Sequence, residues 1–410
     1  MKKQMTFAMI GALTLSLLGG VPTTKAEETT DPVMVEINET TFPDARLRAD
    51  VAAKVDTDHD GKLKQSEIAA VKKFSLYPFK NSDDYDEENE TEKEQYTQND
   101  FVVDLKGMEY FTSLTELTLL FNGGVDQTVG QKAHLTKVKN FDCVYSLNSL
   151  KKLSIYNADL TSISTDKFSS LEKLSLYELD QIKTLKVNSK TIKSLWVEDS
   201  ALLKTLDLTK ASVLKTLVME SNDSLNKISF AKKNPTITKL QYRGNKKIKK
   251  LNLNALVNLK TLSLSKSNIT ALSVDKCKKL SVLTLEQMTK LKTLDLRKNK
   301  KLKEFYSDRT KKITVFDLQK NNQLESLWIA GANVKQIRLG KNKISYFRVN
   351  DTKLKKMDLS KVNKKTLKEI NLYSNKNLKK VDVRAFKNLK TIIVSKNTKV
   401  MKRKGTVTRW

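Results

Sequence analysis

Cysteine, histidine, proline and glycine are all scarce in this 410-residue chain. Two Cys exclude a disulfide-stapled scaffold and a four-cysteine zinc site. Two His, His59 and His134, leave few partners for a catalytic triad or a histidine-rich metal centre. Twelve Gly and five Pro exclude a collagen-like or linker-dominated chain. The motifs G-x-S-x-G, H-E-x-x-H, G-x-x-x-x-G-K-[ST] and C-x-x-C are missing. The chain is therefore expected not to be an enzyme.

What is present is charge and aliphatic residues. There are 76 Lys+Arg against 46 Asp+Glu, a formal net charge of +30, and 39% of residues are hydrophobic. The segment 1–26 reads as a secretory signal. Lys2 and Lys3 are followed by an apolar run from Phe7 to Leu18, then Thr24-Lys25-Ala26 as a cleavage site. That run is short of the ~20 residues needed to cross a bilayer, and no spanning run follows. The reading is a secreted, extracellular or cell-wall-associated protein with no membrane insertion. Residues 27–105 hold 21 acidic and 9 basic residues, whereas residues 106–410 hold 64 basic and 25 acidic. The charge break gives three segments: signal 1–26, cap 27–105 with an acidic, solvated loop at 82–100, and coil 106–410.

The coil carries the strongest signal. The pattern L-x-x-L-x-L, with Ile, Val, Phe or Met substituting, recurs from Leu171 to Val400 with a mean spacing of about 10.9 residues. Within each copy the last two apolar residues alternate with polar ones, the period of a short strand. Two units make one turn of about 22 residues, and alternate units differ. One series carries Asp or Asn between its last apolar residues, at Asp207, Asn252, Asp295, Asp317, Asp358 and Asp382. The other series is varied there. The regular carboxylates read as repeat consensus rather than as catalytic pairs. The chain thus resembles bacterial leucine-rich repeat proteins of the nested type, sometimes called IRREKO repeats. Leu291-Lys-Thr-Leu294-Asp295-Leu296-Arg-Lys-Asn299 matches their L-x-x-L-D-L-x-x-N form. The Asn place is kept at 222, 245, 299, 321, 342, 375 and 397 but not at Ala211, Met288, Thr310 or Ala332, so fewer side-chain amides are expected to tie the turns. Cys277 falls at the same place and reads as an inward structural residue. Cys143 lies some six turns away, near 30 Å at about 4.8 Å per strand, beyond disulfide reach. The expected fold is a solenoid of short parallel strands behind a small α-helical, EF-hand-like cap.

In the cap, Asp56, Asp58 and Asp60 stand at places 1, 3 and 5 of a twelve-residue calcium loop, with Gly61 at the sharp turn. The backbone carbonyl of Lys62 serves place 7 and Glu67 serves place 12, while Lys64 at place 9 leaves that ligand to water. Hard oxygen donors at this spacing suit calcium. Helical pattern flanks the loop over 45–55 and 67–74, with no second hand in view. The cap and the following Asp104–Phe111 resemble the EF-hand-related cap of internalins and similar Gram-positive surface proteins.

Function then rests on surfaces. Stacked strands send alternate side chains outward. On the varied side this predicts a partner-binding face with Tyr156, Tyr177 and Trp196 near the cap, and Tyr306, Trp328 and Arg348 near the C-terminal end. The expected partner is a protein or glycan at a host or bacterial surface. The alternative is a wall-associated structural protein, held by its 66 Lys on anionic polymers such as teichoic acid. Nucleic acid is not expected as the native target, given export and no groove-reading module.

Overall fold

The computed structural model describes residues 31–77, 102–121, 135–187 and 190–410. The signal segment and the acidic loop at 82–100 lie outside them.

The repeat folds as its period demands. Each varied unit contributes one strand to a continuous parallel sheet of fifteen, running from Lys73–Leu76 to Val407–Arg409. Core residues such as Leu195 and Leu217, or Phe305 and Leu327, pair across neighbouring strands. Each such pair is separated in the chain by one leucine-rich-repeat turn, roughly 22 residues. The Asp-bearing units form the opposite side as short, interrupted pieces, for example Thr205–Leu208 beside Lys227–Phe230. Between the two sides lies one uninterrupted core of Leu, Ile, Val and Phe. The chain is a parallel solenoid of leucine-rich repeats.

Local polar chemistry closes each turn. Asp207, Asp295, Asp317, Asp358 and Asp382 each accept the N–H two residues on, at 2.9–3.1 Å. Such Asx turns end a short strand without a backbone partner. At the inward corners, Asn321 donates to the carbonyls of Leu296 and Asn299, and Asn342 to those of Leu318 and Asn321. Cys277 takes the same slot and turns its thiol to the Leu253 carbonyl at 3.3 Å. Neither cysteine forms a disulfide. Where the Asn is replaced, Ala211, Met288, Thr310 and Ala332 fill their corners as buried side chains. Asn397 is a correction. It is exposed, and Thr398 occupies the inward slot, donating to the Leu378 carbonyl at 2.7 Å.

The cap joins this core directly. Helix α1 (Ala45–Lys54) buries Leu47 and Val51 and is capped by Asp44, which accepts the N–H of Arg46, Leu47 and Asp104. Helix α2 (Gln65–Ala70) is shorter than the helical reading of 67–74. Lys73–Leu76 is instead the first strand of the long sheet, because Phe74 and Leu76 alternate inward onto Leu117 and Leu119. Strand Val102–Asp104 also pairs with a coil strand, Thr136–Lys139. No helix among the described residues is long and apolar enough to cross a membrane.

Candidate functional site

Two places gather the residues singled out in the sequence. The first is the loop of the cap. One carboxylate oxygen from each of Asp56, Asp58 and Asp60 lies within 4.8 Å of the others. Asp56 is buried and accepts the N–H of Asp60 and Gly61, and Gly61 takes the left-handed φ of 77° that the turn requires. Glu67 is buried too, accepting the N–H and hydroxyl of Thr57 and the N–H of Lys64. Burial would raise its pKa, but these hydrogen bonds hold it below the usual carboxylate range. Lys62 begins the strand Lys62–Lys64, which pairs antiparallel with Val33–Glu36, so a strand of the same cap stands where a second hand's loop would pair. The place expected for water is occupied otherwise. The Lys64 ammonium forms an ion pair with Asp58 and another, at 3.0 Å, with Asp60. The donors suit a hard divalent cation, and Lys64 is the group that competes with one.

The second place is the outward face of the long sheet. Register sets Tyr156 beside Tyr177, and their rings stack at 4.3 Å and 7°. Trp196 lies on the next strand, beside Ser175. It meets Tyr177 at 5.9 Å and donates its indole N–H to Glu198 at 3.0 Å. Five strand steps away, about 24 Å, Tyr306, Trp328 and Arg348 sit in direct register. Tyr306 meets Trp328 edge-on at 4.8 Å, and the Arg348 guanidinium lies 4.9 Å over the indole. All six side chains are half-buried by their neighbours, so the structure forms two clusters and keeps them apart. Cross-strand stacking stabilises the sheet, and it also presents rigid rings to solvent.

Charge separates this face from the rest of the chain. The fifteen strands hold seven acidic and seven basic residues, although the chain carries +30. The excess lysine lies in the turns and on the short-strand side. Even the turn leading into the sheet is interrupted by acid: Lys193 pairs with Glu172 at 2.7 Å and Lys303 with Glu325 at 3.5 Å. Lysines therefore do not form unbroken ladders there.

Some features of the face were not apparent from the repeat. The first residue of each strand also points outward, which adds Tyr346 and Glu304; the same alternation, carried one step earlier, would have found them. Most of the long strands are followed by a residue with positive φ, glycine at 244 and 331 but Glu178, Asp199, Lys266, Gln287 and Arg309 elsewhere. That conformation carries no strong sequence mark outside Gly and Asn. It brings Glu178 and Asp199 close to Glu198. Desolvation raises the pKa of Glu178, with Asp199, Asp180 and Glu198 adding to it, and raises that of Asp199, with Glu198 adding. A carboxylate whose folded pKa is raised prefers its protonated form. Its cost to the fold is absent below the unfolded value of about 4, grows above it, and is complete once pH exceeds the raised value. Glu178→Gln is thus expected to raise the melting temperature at about pH 7, with the gain vanishing below about pH 4. A gain unchanged between the two pH values would show that the repulsion is absent.

No described protein family and no curated protein matches the chain. Among solved structures, the functional domain of InlJ from Listeria monocytogenes is 18% identical, covering 89% of this chain and 78% of its own, with a TM-score of 0.41. An internalin, InlF, from Listeria monocytogenes is 13% identical, covering 92% and 97%, with a TM-score of 0.41. A leucine-rich repeat protein of Leptospira interrogans is 17% identical, covering 73% and 90%, with a TM-score of 0.40.

Proposed function

We propose that the chain is an exported recognition protein that binds a macromolecular partner, a protein before a glycan, across the outward face of the long sheet. The observation that carries this reading is the charge-balanced face with two aromatic clusters, set within a chain of +30. Aromatic and Arg side chains on a rigid surface are the commonest energetic anchors of interfaces, and repeat coils bind along such extended sheets. The paired variant Trp196→Ala with Trp328→Ala, used in capture from host surfaces and from the wall of the producing cell, tests it. Each anchor lost is expected to weaken the partner by about 1 kcal/mol or more, with circular dichroism unchanged. Unaltered capture by the folded variant overturns the reading.

The lysine excess off the sheet favours a second reading, retention on anionic wall polymers. The same capture, washed with about 50 mM and then about 1 M NaCl, separates the two, because screening releases a delocalised ionic contact and spares a packed one.

Calcium belongs to this proposal as a ligand of the cap. Asp56, Asp58, Asp60, the Lys62 carbonyl and Glu67 would hold it, tightening the cap without taking part in any reaction. With Lys64 competing, affinity is expected at the weak end for single extracellular sites, about 10⁻⁴ to 10⁻³ M. Lys64→Gln removes the competitor and is expected to tighten binding about tenfold, close to 1.4 kcal/mol, while Glu67→Gln abolishes it. Calorimetry on the mature chain that finds no calcium heat in the wild type or in Lys64→Gln would exclude the site.

A further inference from the structure

Four strands on from Trp196, the sheet face dips. Thr284 is small, and beside it rises Tyr306, whose other side is covered by Trp328. The dip, about 500 Å³, is lined by Val282, Thr284, Glu286, Glu304, Tyr306 and Trp328. Register puts Glu304 on the same strand as Tyr306, two residues before it, and Glu286 one strand back at the level of Asp308. The two carboxylates therefore flank the ring from opposite ends of the dip.

Neither the Glu286 nor the Glu304 side chain makes a hydrogen bond or ion pair among the described residues. That is unexpected in a chain with 76 Lys and Arg. The nearby cations are engaged elsewhere. Lys303 pairs with Glu325, Arg309 with Asp308 at 2.7 Å, and Arg348 lies over Trp328. Across the strand, Glu304 faces Val282 and Ser326, and Glu286 faces Ser265 and Asp308, so no lysine stands opposite either. The Tyr306 phenol feels the result: desolvation raises its pKa, and Asp308 and Glu286 raise it further.

We propose that this dip seats an arginine side chain of the protein partner. An aromatic face open on one side attracts a guanidinium through its ring electrons, and a planar fork suits two separated carboxylates better than an ammonium does. The volume lies within the range of pockets that enclose a small ligand group. Within a coil that is strongly basic as a whole, the two unpaired carboxylates of the dip draw an approaching cationic segment to this part of the face. The assignment rests on the reading of the long sheet as the binding face and names the chemistry of its partner.

The test uses the full mature chain, two short probes, acetyl-Gly-Arg-Gly-amide and its citrulline counterpart, which keeps the shape and loses the charge, and maltose as a neutral sugar probe. Binding is followed by nuclear magnetic resonance of the Trp indole signals. The arginine probe is expected to bind at least about tenfold more tightly than the citrulline probe. The paired variant Glu286→Gln with Glu304→Gln, isosteric and on the surface, is expected to lose that preference while its circular dichroism stays unchanged. Equal binding of the two probes, no binding of either, or tighter binding of maltose overturns the assignment. If the tryptophan variant loses a captured protein partner while the glutamine variant keeps it, the arginine pocket is refuted and the face reading stands. If the arginine probe binds as expected but the tryptophan variant captures the partner undiminished, the pocket stands and the wider face reading is refuted.

Discussion

Asn245→Ala is expected to lower the unfolding free energy by roughly 3 kcal/mol. The Asn245 amide donates to the carbonyls of Met219 at 2.9 Å and Arg243 at 2.8 Å, and its oxygen accepts the N–H of Asn222 at 2.9 Å. All of this happens inside the corner, where Asn245 is fully buried. Alanine leaves the Asn222 N–H buried without a partner or water, at about 1–3 kcal/mol, and removes one hydrogen bond each from the Met219 carbonyl and from the Arg243 carbonyl, which keeps the Ser221 N–H, at about 1 kcal/mol apiece. Asn222 repeats the arrangement one turn earlier, donating to Val197 and Glu220 and accepting from Ser200. The loss at 245 therefore loosens its neighbour as well. Asn397→Ala is the control, since that exposed amide makes one bond, to the Lys376 carbonyl; a surface change of this kind costs under about 0.5 kcal/mol. Denaturant unfolding followed by far-ultraviolet circular dichroism checks the pair. Equal losses at 245 and 397 would mean that the inward corners do not hold the coil.

Gly340→Ala is expected to cost as much, about 3 kcal/mol, through strain rather than lost bonds. A Cβ at 340 would stand 2.2 Å from the Gln319 carbonyl oxygen and 3.0 Å from its carbon, both backbone atoms of the preceding turn. No rotamer relieves such a clash, so the two turns must separate. The spacing explains why glycine is needed here. The stretch of chain between the paired Leu327 and Phe347 is shorter than that between Phe305 and Leu327, and a shorter turn draws the backbones together. Thermal unfolding reads the effect; a Gly340→Ala protein melting with the wild type would show that the turn has room to spare.

These two positions mark what the sequence discloses and what it hides. The solenoid was legible because burial on one side of a strand enforces alternation, and a turn of about 22 residues returns the chain to the same side. The stretch from Leu291 to Asn299 alone displays the alternation and the inward corner that follows it. The pattern distinguished a varied from a monotonous half of each turn, but not which half would form the continuous sheet, because both halves alternate apolar and polar residues alike. The calcium-loop spacing was legible as spacing. That Lys64 would fold back between Asp58 and Asp60 was not, because a long, flexible side chain has no preferred place until its neighbours are fixed. Likewise Lys73–Leu76 read as the tail of a helix: only the presence of Leu117 and Leu119 alongside makes a strand the better burial of Phe74 and Leu76. The dip at Thr284 is a difference between neighbouring strands, and no single repeat contains it.

The parallel stacking has a mechanical consequence. The bonds joining one strand to the next run along the coil axis, so tension applied between the two ends bears on the turns one after another rather than on all of them together. Each turn that comes free gives up about 4.8 Å of coil and releases some 22 residues of chain, roughly 75 Å when drawn out. A protein built this way is a spooled tether. It holds its length until its weakest turn yields, then lengthens in steps about fifteen times larger than the spacing it loses.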